Sequence, residues 1–175
     1  MKSLHPGKRL ATFAVSGYSA EQIVGTGQVD FCYNEMWGSE DQFTDLRSTI
    51  EANDAYSGGT LKTVFAAYMN YDLANNMGTF NTPGVLLTNA VIFALGGAHL
   101  ELGEHMLCKE YFPNSNLGMS SELQEAMVAY YDFLVAYENL LRDGGELNDV
   151  TVRSTDGKLS FAAWAPTLGN VVTLG

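Results

Sequence analysis

One pattern recurs along the chain: a short apolar run closed by polar residues or glycine, followed by a segment whose apolar residues return at helical spacing. Strand and helix alternating about four times argues for parallel βα units, either a piece of an open doubly wound sheet or part of a (β/α)-barrel. The first run, Lys8 to Val15, reads as a buried strand ended by Gly17, with a brief helix from Ser19. Val29 to Tyr33 reads as the second strand, followed by the polar pair Asn34 and Glu35. Ser39 and Gln42 form a capping box ahead of Phe43, Leu46 and Ile50, and Gly58 and Gly59 stop that helix. Leu61 to Tyr68 is the third strand. Thr82 as N-cap and Pro83 at the first helical position open a helix to about Leu95, which Gly96 and Gly97 end. Ala98 to Leu102 alternates, with His99 and Glu101 on one face and Leu100 and Leu102 on the other, as a fourth strand does. Ser121 and Gln124 open a long helix to Arg142, stopped by Gly144 and Gly145.

From Val150 the pattern changes to period-two segments around the Asp156-Gly157 turn. These strands are too few to bury a core of their own. The expected division is therefore residues 1–147 as a partial (β/α)-barrel and 148–175 as the beginning of a truncated C-terminal β-domain. Polar side chains at the carboxyl ends of the strands fit a barrel mouth, and a whole barrel needs roughly 250 residues. About half of a barrel is expected, with the chain cut off at both ends. Such a half-barrel leaves two sheet edges and one apolar face uncovered, so self-association is expected.

Charge and motifs narrow the chemistry. Nine basic against twenty acidic residues give a net charge of -11, a field that repels nucleic acid and anionic membrane surfaces. The run Val85 to Leu95 is far shorter than the roughly 20 apolar residues of a membrane span. The N-terminal residues show no convincing signal-peptide cleavage site. Cys32 and Cys108 lie too far apart for a zinc cluster of usual spacing and leave the redox compartment undecided. No glycine-rich nucleotide loop follows any strand, and no GxSxG elbow is present, so neither a nucleotide cofactor nor serine-hydrolase chemistry is expected.

The segment Phe31-Cys32-Tyr33-Asn34-Glu35-Met36-Trp37 carries the strongest chemical signal: a carboxylate at a strand end, an amide before it and an indole after it. A carboxyl in a barrel mouth protonates a leaving glycosidic oxygen, with Asn34 beside it a candidate for binding the sugar and Trp37 a surface for stacking on its ring. On the residues alone, Glu35 reads equally as a carboxylate that caps the following loop. Tyr68, Asn70 and Tyr71 after the third strand are candidates for binding sugar hydroxyls, or the polar end of a solvated loop. His99, Glu101, Glu104 and His105 offer metal-ligand types but lack the HExxH order, so hydroxyl binding by His99, Glu101 and Glu104 is the more natural reading and no metal is expected. Met127, Tyr130, Tyr131, Phe133 and Tyr137 of the long helix read as core.

Taken in order, V-D-F-C-Y-N-E-M-W, K-T-V-F-A-A-Y-M-N-Y, G-G-A-H-L-E-L-G-E-H-M-L, E-Y-F-P-N and Y-Y-D-F-L-V-A-Y-E-N-L-L-R-D-G-G resemble glycoside hydrolase family 66 from Leu10 to Gly145. That family holds endo-dextranases and cycloisomaltooligosaccharide glucanotransferases. The resemblance implies the C-terminal half of a (β/α)8 barrel followed by an antiparallel β-domain, acting with retention on α-1,6-linked glucan. The family's acid/base matches Glu35, and its nucleophilic Asp lies on an earlier strand outside this chain. Cyclising members carry a large carbohydrate-binding insertion late in the barrel, whereas Gly96 to Ser120 runs on without one, which favours dextranase. Dextran or isomaltooligosaccharides as substrate, and an extracellular or periplasmic parent enzyme, are further implications. By this reading the chain alone is inactive, lacking one of its two carboxylates. A catalytically dead carbohydrate-binding or assembly module is the competing class.

Overall fold

The computed structural model describes residues 3–36, 39–40, 42–67, 76–100 and 116–142, and the backbone of 145–150 and 161–166. Eight strands and five helices occur among these residues: β1 (Ala14–Val15), α1 (Ala20–Val24), β2 (Cys32–Met36), α2 (Phe43–Ser57), β3 (Thr63–Ala67), β4 (Gly78–Thr79), α3 (Thr82–Ala94), β5 (Ala98–His99), β6 (Leu117–Gly118), α4 (Ser121–Ala136), α5 (Glu138–Leu141), β7 (Gly145–Val150) and β8 (Phe161–Pro166). The main sheet has the order β1-β2-β3-β5 with every pair parallel. Helices connect these strands, as parallel neighbours demand. β4 and β6 form a separate short parallel pair, and β7 and β8 an antiparallel one.

The second strand begins and ends three residues later than its apolar run implies, at Cys32–Met36 rather than Val29–Tyr33. Pairing decides this. Cys32 to Met36 lie opposite Thr63 to Ala67 on β3, while Ala14 and Val15 of β1 lie opposite Asn34 and Glu35. Asn34 and Glu35 are thus inside the sheet and not beyond its end. Their alternation sends Cys32, Asn34 and Met36 into the buried layer and leaves Tyr33 and Glu35 half-buried on the other face.

Helix starts also differ from the expected caps by small steps. α2 is capped by Gln42 and not Ser39: the Asp45 carboxylate accepts from the Gln42 N–H at 2.9 Å. Its end is as expected, with Gly58 in the left-handed region at φ 63°, which a residue with a Cβ rarely adopts. α3 is capped by Asn81, whose side chain accepts from the Gly84 N–H at 3.2 Å, so Pro83 sits one place further in. Ser120 caps α4, accepting from the Leu123 N–H at 3.1 Å. The long helix breaks at Tyr137 and resumes as α5.

The main core lies between the sheet and α2 and α3, built of Met36, Leu46, Ile50, Phe65, Ile92 and Phe93, with Leu134 of α4 against it. Tyr130 and Tyr131 pack on this cluster, whereas Phe133 and Tyr137, expected in the core, are about half exposed. A smaller cluster of Phe80, Val85, Leu117 and Leu123 joins the β4–β6 pair to α3 and α4. No helix among the described residues is long and apolar enough to cross a membrane.

Candidate active site

The site follows from the two faces of β2. On the face away from the helices, the Glu35 carboxylate stands beside Tyr33, whose hydroxyl donates to Glu35 Oε1 at 3.2 Å. Residues two apart on a strand share a face. The Tyr33 ring stacks on Phe13, with centroids 5.4 Å apart and planes at 28°. Phe13 is 66% exposed, so an aromatic surface next to a carboxylate is open on this side of the sheet. Parallel register sets Val15 and Ala66 on either side of Glu35. Ser16, directly after β1, donates its N–H to the Glu35 carbonyl at 3.2 Å and its hydroxyl to Glu40 Oε2 at 2.8 Å. A carboxylate presented on a rigid strand, with an aromatic surface beside it, is suited to proton transfer at a bound sugar.

On the opposite face the polar residues bond to one another. Asn34 is 1% exposed, and its Oδ1 accepts from Asn53 Nδ2 of α2 at 2.9 Å; the same Asn53 amide donates to Thr63 Oγ1 of β3 at 3.0 Å. This triangle ties α2 to two strands. His99 is 3% exposed, accepts from the Ala67 N–H through Nε2 at 3.2 Å, and therefore carries its proton on Nδ1, 2.6 Å from Asn89 Oδ1. Tyr131 of α4 donates its hydroxyl to the His99 carbonyl. Asn34 and His99, both expected as sugar contacts, make these bonds in the layer between sheet and helices, on the face opposite Glu35. The alternating pattern already placed His99 opposite Leu100, but not which side the helices cover.

Trp37, Tyr68, Asn70, Tyr71, Glu101 and Glu104, and His105 of the metal-like constellation, lie outside the described residues. Sequence reasoning passed over Tyr33, although the spacing of two from Glu35 on a strand was the signal for it. Ser16 and Glu40 carried no such signal, since a contact across 24 residues depends on the β1–β2 register.

Burial perturbs two groups away from this face. The Cys32 thiol is pushed up to about 11 by desolvation, then by the Asp54 charge. Asp54 is raised above its ordinary value, first by desolvation. A cavity of about 230 Å³ opens along α2, lined among others by Ser16, Asn34, Glu40, Asp45, Asn53 and Tyr56. Glu35 is not part of its lining.

The sequence profile of Glycosyl hydrolase family 66 matches residues 1–175. The chain belongs to glycosyl hydrolase family 66. Two cycloisomaltooligosaccharide glucanotransferases of Niallia circulans are 38% identical over 92 residues and 46% identical over 69, covering 46% and 38% of this chain. A Streptococcus salivarius dextranase is 25% identical over 175 residues, covering 81% of the chain. These alignments span 10%, 7% and 21% of the respective relatives, so this family 66 chain corresponds to a minor part of each. A crystal structure of a Paenibacillus cycloisomaltooligosaccharide glucanotransferase complexed with cycloisomaltoheptaose superposes with a TM-score of 0.71 at 22% identity, over 83% of this chain and 39% of that one. It shows that the mixed α/β fold with its parallel sheet is shared.

Proposed function

We propose that this family 66 chain is the later half of a (β/α)8 barrel, followed by the start of a β-domain, in an enzyme that cleaves α-1,6-glucosidic bonds of dextran with retention. The single observation that carries this is Glu35, presented on a parallel strand in a family 66 chain on the face that also exposes Phe13. The unbroken order of neighbouring parallel strands supports a barrel arc, since an open doubly wound sheet reverses its order part-way. Glu35 is the general acid/base. In the first step it protonates the leaving glycosidic oxygen while an aspartate from the preceding half attacks the anomeric carbon; in the second it takes a proton from the incoming water. Retention requires the two carboxyl groups about 5 Å apart, so the chain by itself is inactive. Trp37 stacks on a glucosyl ring, and Tyr68, Asn70, Tyr71, Glu101 and Glu104 bind hydroxyls. Such an enzyme acts outside the cell, where the polymer is.

An endo-dextranase is the leading reading, because Gly96 to Ser120 runs on without a carbohydrate-binding insertion. A cyclising glucanotransferase is the second, favoured by the higher identity of the two Niallia relatives. The test is a chimaera in which this chain follows the preceding part of a Niallia glucanotransferase. Reducing sugar released from dextran, with the α-anomer formed first, supports the assignment, and linear against cyclic products separate the two readings. Full activity of Glu35→Gln on dextran removes Glu35 from the acid/base role.

A further inference from the structure

Resting on the acid/base reading of Glu35, the geometry points to Tyr33 as a positioning residue that fixes which carboxyl oxygen of Glu35 carries the catalytic proton. The Tyr33 hydroxyl donates to Oε1 at 3.2 Å, and among the described residues nothing occupies Oε2. A hydroxyl that donates to one oxygen keeps that oxygen an acceptor, so the transferable proton resides on the other. Oε2–H then gives its proton to the glycosidic oxygen as the C1–O bond breaks and its electron pair passes to the leaving sugar, while the nucleophilic aspartate bonds to C1. When water later attacks C1 and displaces the aspartate, the water proton returns to Oε2. Oε1 stays with Tyr33 throughout both steps.

Tyr33 is suited to hold this position because it is not itself free to turn. Its ring is stacked on Phe13, it is half-buried, and its N–H donates to Thr12 Oγ1 at 2.9 Å. Both partners, Tyr33 and Glu35, project from one strand that is paired on both sides, so their spacing is set by the backbone and not by a loop. Such support by a second, locked side chain is what keeps a reacting group within the narrow range of productive geometry.

The experiment compares Tyr33→Phe, Glu35→Gln and the double variant in the chimaera, reading kcat/KM on isomaltooligosaccharides and on an aryl α-glycoside whose phenolate leaves without protonation. Phenylalanine keeps the ring and its stack but loses the hydroxyl. The expected result is a loss of about tenfold on the oligosaccharide, a part of the roughly 10²–10⁴ that a positioned acid/base supplies, with the aryl substrate nearly unchanged. In the Glu35→Gln background the loss of the hydroxyl adds nothing further. Phe13→Leu, which removes the stack and leaves the hydroxyl, shows the same substrate dependence in weaker form. Equal losses on both substrates, or a loss that persists in the Glu35→Gln background, overturn the positioning role. An unaffected Glu35→Gln enzyme overturns instead the acid/base reading beneath it.

Discussion

The buried triangle of Asn34, Asn53 and Thr63 decides whether Asn34 serves the sugar or the fold, and Asn53→Ala is the perturbation that shows it. The Asn53 amide supplies two hydrogen bonds, to Asn34 Oδ1 at 2.9 Å and to Thr63 Oγ1 at 3.0 Å, and all three residues are at most 3% exposed. Removing it strands two buried acceptors. Each unsatisfied buried group costs about 1–3 kcal/mol, and the Thr63 hydroxyl recovers part by rotating, so the expected loss is about 2–4 kcal/mol. At about 3 °C per kcal/mol for a chain of this size, the thermal midpoint falls by about 6–12 °C. Among the described residues Asn34 Nδ2 already lacks a partner, so Asn34→Ala removes one satisfied and one unsatisfied group and costs less. The double variant costs about 1 kcal/mol less than the two singles together, because they share one bond. Circular dichroism melts of the four proteins measure all of this. A drop of under 2 °C for Asn53→Ala, or strict additivity, would refute the claim that this triangle seats α2 on the strands. A selective rise in KM for isomaltooligosaccharides with no change in stability on Asn34→Ala would return Asn34 to the substrate.

The remaining expectations concern other groups. With its thiol raised from 9.0 to about 11 in the fold, Cys32 leaves stability untouched at neutral pH. Above pH 9 the unfolded chain ionises first, so stability falls between pH 9 and 11, and Cys32→Ala flattens that part of a pH series of melts. Buried and protonated, Cys32 reacts with iodoacetamide only after denaturation; rapid labelling of Cys32 in the native protein, assigned by peptide mapping against Cys108, counts against its burial. Asp54 is raised above its usual 3.8, so the unfolded chain loses this proton first and stability declines as pH rises from about 3.8. Asp54→Asn is therefore more stable at pH 7, and the advantage disappears below pH 3.8; equal melting of both proteins at pH 7 removes the desolvation argument. Trp37→Ala in the chimaera weakens isomaltooligosaccharide affinity by roughly tenfold with kcat less affected, as titration calorimetry on the Glu35→Gln background reads.

The alternation of strand and helix was legible because each strand is an apolar run bounded by glycine or a polar cluster, and each helix has a periodic face. The boundaries of β2 were not legible, for a reason that bears on the site. Apolar runs mark where burial is cheap, yet strand ends are set by neighbours: β2 continues through Asn34 and Glu35 because β1 and β3 pair with them, and Asn53 supplies a donor to the buried Asn34 Oδ1, which lowers the cost of placing that side chain there. A polar pair that looks like the end of a strand is here its centre. The consequence is that two adjacent residues face opposite ways: Asn34, turned toward the helices, bonds to Asn53 of α2, and Glu35 presents its carboxylate on the face that exposes Phe13. His99 repeats the lesson on β5, since its alternation with Leu100 was visible but the identity of the covered face was not, and Asn89 ten residues earlier on α3 supplies the partner that decides it. Tyr33 lies on the legible side of this division. Once Glu35 is placed within a strand and not after one, spacing alone puts the tyrosine hydroxyl on its face.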